Sequence, residues 1–140
     1  MKSCTKNVKQ KFTDNVIKNG CYLITLFACE SLLGGYLVEV NSERENTFLK
    51  NEAFSKHMQN PSQGNIGYYI GGSDMSTEGN FIWMHSRQPF NYTDWKQGMP
   101  DSHGNHEDCV HLYPLFHFQW NDIQCSTPGY FVCEKPSPNK

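Results

Sequence analysis

Up to Gly20 the chain is polar and follows neither a helical nor a strand period. The character changes at Cys21, where "CYLITLFACESLLGGYLVEV" begins the most apolar run of the sequence. Its opening, "CYLI", reads as a strand entering a core. "LFACESLLGG" reads as a short helix, because Phe27, Leu32 and Leu33 fall near one face and Gly34 and Gly35 stop it. The β-branched and aromatic content of "YLVEV" predicts a strand. "NSERENTFLKNEAFSKHM" then predicts a second helix. Ser42 followed three residues later by Glu45 is a capping box, and Phe48, Leu49 and Phe54 supply an apolar stripe.

From "IGYYIGG" onward the pattern is one of short strands and loops: "NFIWM", "FNYTDW", and then a long polar connection from Lys96 to Asp108. Three strand candidates close the chain, "CVHLY", "FQWNDIQC" and "GYFVCEK", each bearing or abutting a cysteine. Helices come first and a loop-rich β region second, which predicts an α+β domain. A single domain over residues 1–135 is expected, with "PSPNK" supplying a short tail at 136–140 that frays.

Composition narrows the classes of function. With 140 residues, 37% hydrophobic and 14% aromatic, one core is the expectation. Lys+Arg 12 against Asp+Glu 14 gives a net charge of -2, which leaves no footprint for nucleic acid. The apolar run is broken by Glu30 and the Gly34–Gly35 pair and makes a poor membrane span. Six cysteines read as three disulfides, hence an oxidising compartment, with the pairing left open by spacing alone. "MKSCTKNVKQKF" has basic residues but no apolar stretch behind them, so it does not read as an export signal. Trp83, Trp95 and Trp120 read as core aromatics. "NYT" at Asn91 is a glycosylation acceptor in a secreted chain, or else a turn after Pro89.

The densest chemistry lies in "MPDSHGNHEDCV", Met99 to Val110, where Asp101, Glu107 and Asp108 surround His103 and His106. Calcium takes about six to eight hard oxygen ligands, from carboxylates, amide and backbone carbonyls and water. Asp101, Glu107, Asn121 and Asp122 offer that set, and Asp74, Glu78 and Asp108 a second. The spacing is not that of an EF-hand, so such sites are assembled from separate loops. Acids that merely solvate loops are the plain alternative. Zinc held by His103, His106, Cys109 and His111 is another, and it fails if Cys109 is in a disulfide. A Cys–His nucleophile pair lacks any visible oxyanion hole.

Taken in order, "GGYLVEVNSERENTFL", "IGGSDMSTEGNFIW", "FNYTDWKQGMPD", "HEDCVHL", "WND" and "GYFVCEK" resemble the C-type lectin domain family, over nearly the whole chain from Cys4 to Lys135. Around "GSDMSTEG" and "FNYTDW" the sequence is similar to the secreted perlucin-like group of molluscs, which is associated with shell matrix. The resemblance implies a double-loop domain of two helices on small antiparallel sheets. It implies Ca2+ between the long loop and the "WND" strand, directly ligating two vicinal sugar hydroxyls. The principal positions would be Met99, Asp101, Glu107, Asn121 and Asp122, and the auxiliary ones Asp74, Glu78, Ser102 and Asp108. The implied disulfides are Cys29–Cys133, Cys109–Cys125 and, as in long-form members, Cys4–Cys21.

Three departures bear on that expectation. Met99 stands where sugar-binding members carry Glu or Gln, and a thioether is a soft ligand that hard calcium ignores. Asp101 after the proline leans toward galactose-type hydroxyls, with His103 and His106 as the nearest rings for the sugar face. Ser102 removes a carboxylate from the auxiliary set, and the short Cys21–Cys29 segment leaves less apolar area to bury. The expected function is calcium-dependent binding of glycans of cell surfaces or matrix, galactose-type or mixed, in extracellular recognition or innate immunity, without catalysis. The alternative is a perlucin-type structural protein that binds calcium carbonate or matrix proteins with a degenerate sugar site. Homo-oligomerisation stays open as a source of avidity.

Overall fold

The structure is a computed structural model that describes residues 16–32 and 34–135. Its elements in chain order are β1 (Val16–Gly20), α1 (Tyr22–Phe27), β2 (Tyr36–Leu37), α2 (Glu43–Gln59), β3 (Tyr68–Ser73), β4 (Ile82–Trp83), β5 (Cys109–Leu112), β6 (Trp120–Ile123) and β7 (Gly129–Glu134). A π-helical turn, Ala28–Leu32, continues α1. The strands form a sheet of order β1-β7-β3-β5-β6, with β2 beside β7 and β4 beside β3. All pairings are antiparallel except β3 with β7.

Both faces of the central strands are covered, so β3 is buried at all six positions. Alternation divides the core accordingly. Tyr68, Ile70, Val110, Leu112, Trp120 and Val132 pack on one face with Leu49 and Ala53 of α2. Tyr69, Cys109, Phe131 and Cys133 pack on the other with Tyr22, Ala28 and Cys29. The Cys29–Cys133 and Cys109–Cys125 disulfides form as the resemblance implied. Cys4 of the third expected bridge lies outside the described residues, as does the 136–140 tail.

The second helix follows its sequence signals closely. The Ser42 hydroxyl accepts from the Glu45 N–H at 3.2 Å, while the Glu45 carboxylate accepts from the Asn41 N–H at 2.7 Å. The predicted stripe is corrected: Phe48 is 60% and Phe54 54% exposed. Of the stripe only Leu49 faces the core, where Asn46 and Ala53 join it. Asn46 holds that place because the buried Trp120 indole N–H needs an acceptor, and it donates to Asn46 Oδ1 at 2.9 Å.

Three further expectations change. "CYLI" is helical: Tyr22, Thr25, Ala28 and Cys29 are all buried, a helical spacing that sets one face on the sheet and leaves Phe27 exposed. "YLVEV" is a strand only at Tyr36–Leu37, although Val38 still donates to Val132 O at 2.9 Å. "FNYTDW" contributes a single bridge, Trp95 with Trp120. Before Cys21, where no strand was expected, β1 pairs with β7.

Candidate metal centre

The long connection between β4 and β5 is fixed at its root by aromatic rings. Phe90 lies 4.2 Å from Trp83, and Trp95 lies 5.0 Å from Phe81 and 5.8 Å from Trp120. Gly72 makes room for this packing, since a Cβ there would collide with the Phe90 ring. Beyond the rings, the Met99 N–H closes a turn on Lys96 O at 2.8 Å, and the Met99–Pro100 peptide is cis.

The next three residues turn their backbone N–H groups onto carboxylates. Asp101 donates to Asp122 Oδ1 at 3.1 Å, Ser102 to Asp122 Oδ2 at 2.6 Å, and His103 to Glu107 Oε1 at 3.0 Å. Carboxylate oxygens of Asp101, Glu107 and Asp122 thereby lie within 4.8 Å of one another. Burial and a proton shared with the Asp101 carboxyl push Glu107 up to about 7. Burial also raises Asp122, against the two N–H donors that favour its charge.

Asp74, Glu78 and Asp108 form a second group, again with oxygens within 4.8 Å. The end of β3 builds it: the Ser73 hydroxyl donates to Asp108 O at 2.7 Å, and Asp74 Oδ2 accepts from the Gly79 N–H at 2.9 Å. Asp74 is buried, and Oδ1 of both Asp74 and Asp108 is buried without a hydrogen-bond partner among the described residues. Burial and the neighbouring Asp74 and Glu78 carboxyls push Asp108 up to about 6. Orphaned, buried carboxylate oxygens fit a hard cation, which would take up the lone pairs left unsatisfied here.

Five principal positions were expected from the sequence, and three carboxylates among them meet. Asn121 has His111 as its register partner across β5 and β6, so it shares a face with His111 while Asp122 shares the other with Val110. The Asn121 amide nitrogen lies 2.9 Å from His111 Nε2. Burial pushes His111 down to about 3, which favours the neutral ring. Met99 is half-buried, and His103 and His106 are exposed beside the acids. Asn91 is exposed in the loop. The zinc and nucleophile alternatives fall, because Cys109 is in a disulfide and offers no thiolate. The sequence reading missed the backbone donors and the role of Ser102, whose hydroxyl donates to Glu78 Oε1 at 2.6 Å.

The family model described as the lectin C-type domain matches residues 22–135. This chain belongs to the C-type lectin domain family. It is 36% identical over 106 residues to "Salivary C-type lectin 2" of Aedes albopictus, covering 73% of this chain and 69% of that protein. It is 34% identical over 110 residues to "Perlucin" of Haliotis laevigata, covering 74% and 63%. The chain thus spans about two thirds of the length of these relatives. The solved C-type carbohydrate-recognition domain of cow CD23 superposes with a TM-score of 0.70 at 28% identity, over 96% of this chain and 99% of that one. Carbohydrate binding is the activity that C-type lectin domains point to, and they generally hold calcium. The expected α+β class is the one found, and among the described residues no helix is long and apolar enough to cross a membrane.

Proposed function

We propose that this C-type lectin domain binds calcium and, through it, glycans of cell surfaces or matrix in an extracellular setting. The observation that carries the reading is the convergence of Asp101 and Glu107 of the long connection with Asp122 of β6, with oxygens within 4.8 Å. Asp74, Glu78 and Asp108 would hold a second ion. A bound calcium supplies coordination positions that two vicinal hydroxyls can fill. The chain's own part is to hold the carboxylates: the N–H groups of residues 101–103 fix those of Asp122 and Glu107, and Asp101 and Glu107 keep lone pairs for sugar hydroxyl donors. Asp101 leans toward galactose-type hydroxyls, and His103, exposed and tied by its N–H to Glu107, offers a ring for a sugar face. The cow CD23 domain, whose solved form is described in the presence of a GlcNAc2Man3 oligosaccharide, supports the reading by its likeness. Two disulfides and the salivary relative support secretion.

The test is thermal unfolding in EDTA and across a calcium titration, then with galactose or mannose in excess. Saturable stabilisation at millimolar calcium, raised further by one sugar, is the expected result. Asp122→Ala should lose both calcium binding and retention on immobilised sugar; an unchanged variant would end the proposal.

Met99 favours a second reading, since it brings sulfur where an oxygen donor is expected. The domain would then be a scaffold that binds calcium carbonate or matrix proteins, consistent with the perlucin relative. It predicts altered carbonate crystal growth that monosaccharides do not inhibit.

A further inference from the structure

The triplet Asn91-Tyr92-Thr93 plays no part in the calcium reading, yet the fold holds the residues around it in an alternating way. Phe90 packs 4.2 Å from Trp83 and 5.6 Å from Trp120. The Tyr92 ring lies 6.0 Å from Trp120, and its hydroxyl accepts from Asn46 Nδ2 of α2 at 3.3 Å. Asp94 Oδ2 accepts from the same Asn46 nitrogen at 2.8 Å and from Lys50 Nζ at 3.0 Å. Between these anchors Asn91 and Thr93 are exposed, and the backbone bends at Asn91 and Tyr92. Every second residue of the segment is thus fixed, and the amide of Asn91 and the hydroxyl of Thr93 are left to solvent where the long connection runs beside α2.

A second triplet supplies the contrast. Asn60-Pro61-Ser62 is exposed at all three positions. Its middle residue is proline, which excludes it as an acceptor, and Asn60 Nδ2 already donates to Lys56 O at 3.0 Å. No other asparagine of the sequence is followed two positions on by serine or threonine.

We infer that Asn91 is an N-glycosylation site, carrying an oligosaccharide at the root of the long connection beside α2. The inference rests on the extracellular setting proposed above and is independent of calcium. The donor is an oligosaccharide joined to a lipid through pyrophosphate, presented by a membrane transferase of the secretory route. The Asn91 amide nitrogen attacks the anomeric carbon of the first sugar. A C–N bond forms as the bond from that carbon to the phosphate oxygen breaks; the lipid pyrophosphate leaves with the electron pair, and the amide gives one proton to a base of the transferase. Both ends of the triplet have to be reached, the amide for attack and the hydroxyl for recognition. A bulky, hydrated group is accommodated there, because the rings that hold the segment are packed on Trp83 and Trp120.

Mass spectrometry of the chain secreted by cultured human cells tests this. The peptide that contains Asn91 should carry a series of hexose and N-acetylhexosamine masses. Peptide-N-glycosidase should remove them and leave aspartate at that position. Asn91→Gln and Thr93→Ala should abolish the modification, Thr93→Ser should keep it, and the Asn60 peptide should be bare in every variant. A secreted wild-type chain with unmodified Asn91, or a glycan that survives Thr93→Ala, overturns the inference and leaves the extracellular reading standing. A wild-type chain that folds but never reaches the medium overturns both.

Discussion

Single residues set how the site meets a cation. On the calcium reading, Met99→Gln would replace sulfur with an amide oxygen, and calcium affinity should rise by about an order of magnitude in a calorimetric titration. Protons should compete with the ion. Glu107 is raised from 4.5 to about 7 and Asp108 from 3.8 to about 6, so the folded, metal-free protein holds protons that the unfolded chain has released. Their contribution to stability is full below the unfolded values and is lost as pH rises through about 6 to 7. A cation at either acidic group needs that group's carboxylate ionised, so the calcium-induced rise in Tm should grow from pH 5 to pH 7.5, roughly as the protons leave. His111, pushed down to about 3, has the opposite sign: its contribution is present above 6.5 and is lost as pH falls toward 3. It acts with and without calcium, so the difference between the two melts isolates the carboxylates.

Among the elements, α2 depends on a polar residue in an apolar place. Asn46 accepts from Trp120 Nε1 at 2.9 Å and donates to Asp94 Oδ2 at 2.8 Å. Asn46→Leu should leave the buried indole N–H unpaired and cost about 1–3 kcal/mol in urea unfolding. This helix was legible because its cap and spacing are local, whereas the choice of Asn46 over Phe48 for the core is made by Trp120, 74 residues away. β1 was illegible for the same reason: "VIKNG" has no strand pattern of its own and is recruited by β7. "CYLI" misled because four residues cannot separate a period of two from one of 3.6; only the burial of Ala28 and Cys29 further along decides it. At the site, residue chemistry singled out Asp101, Glu107 and Asp122 as candidate oxygen donors, and their carboxylates meet within 4.8 Å. The face taken by Asn121 depends on its register with His111, which residue type does not encode.

For the whole molecule, the sheet gathers its covalent and aromatic ties around β7 and β6. Cys29–Cys133 spans 104 residues and joins the α1 side to the central strand β7. Replacing both cysteines with serine should cost about 4–5 kcal/mol through the freedom returned to the unfolded chain, measured by denaturant midpoints. The ring cluster at the root of the long loop has a different consequence. The chain has three tryptophans, and Trp83, Trp95 and Trp120 all lie in that cluster, with Trp120 two positions before Asp122. Light absorbed by indole anywhere in the molecule is therefore absorbed at one place, where loop meets sheet. Emission intensity, usually an average over a fold, becomes here a local gauge: a cation that draws Asp122 and the loop together should register in it without any attached dye.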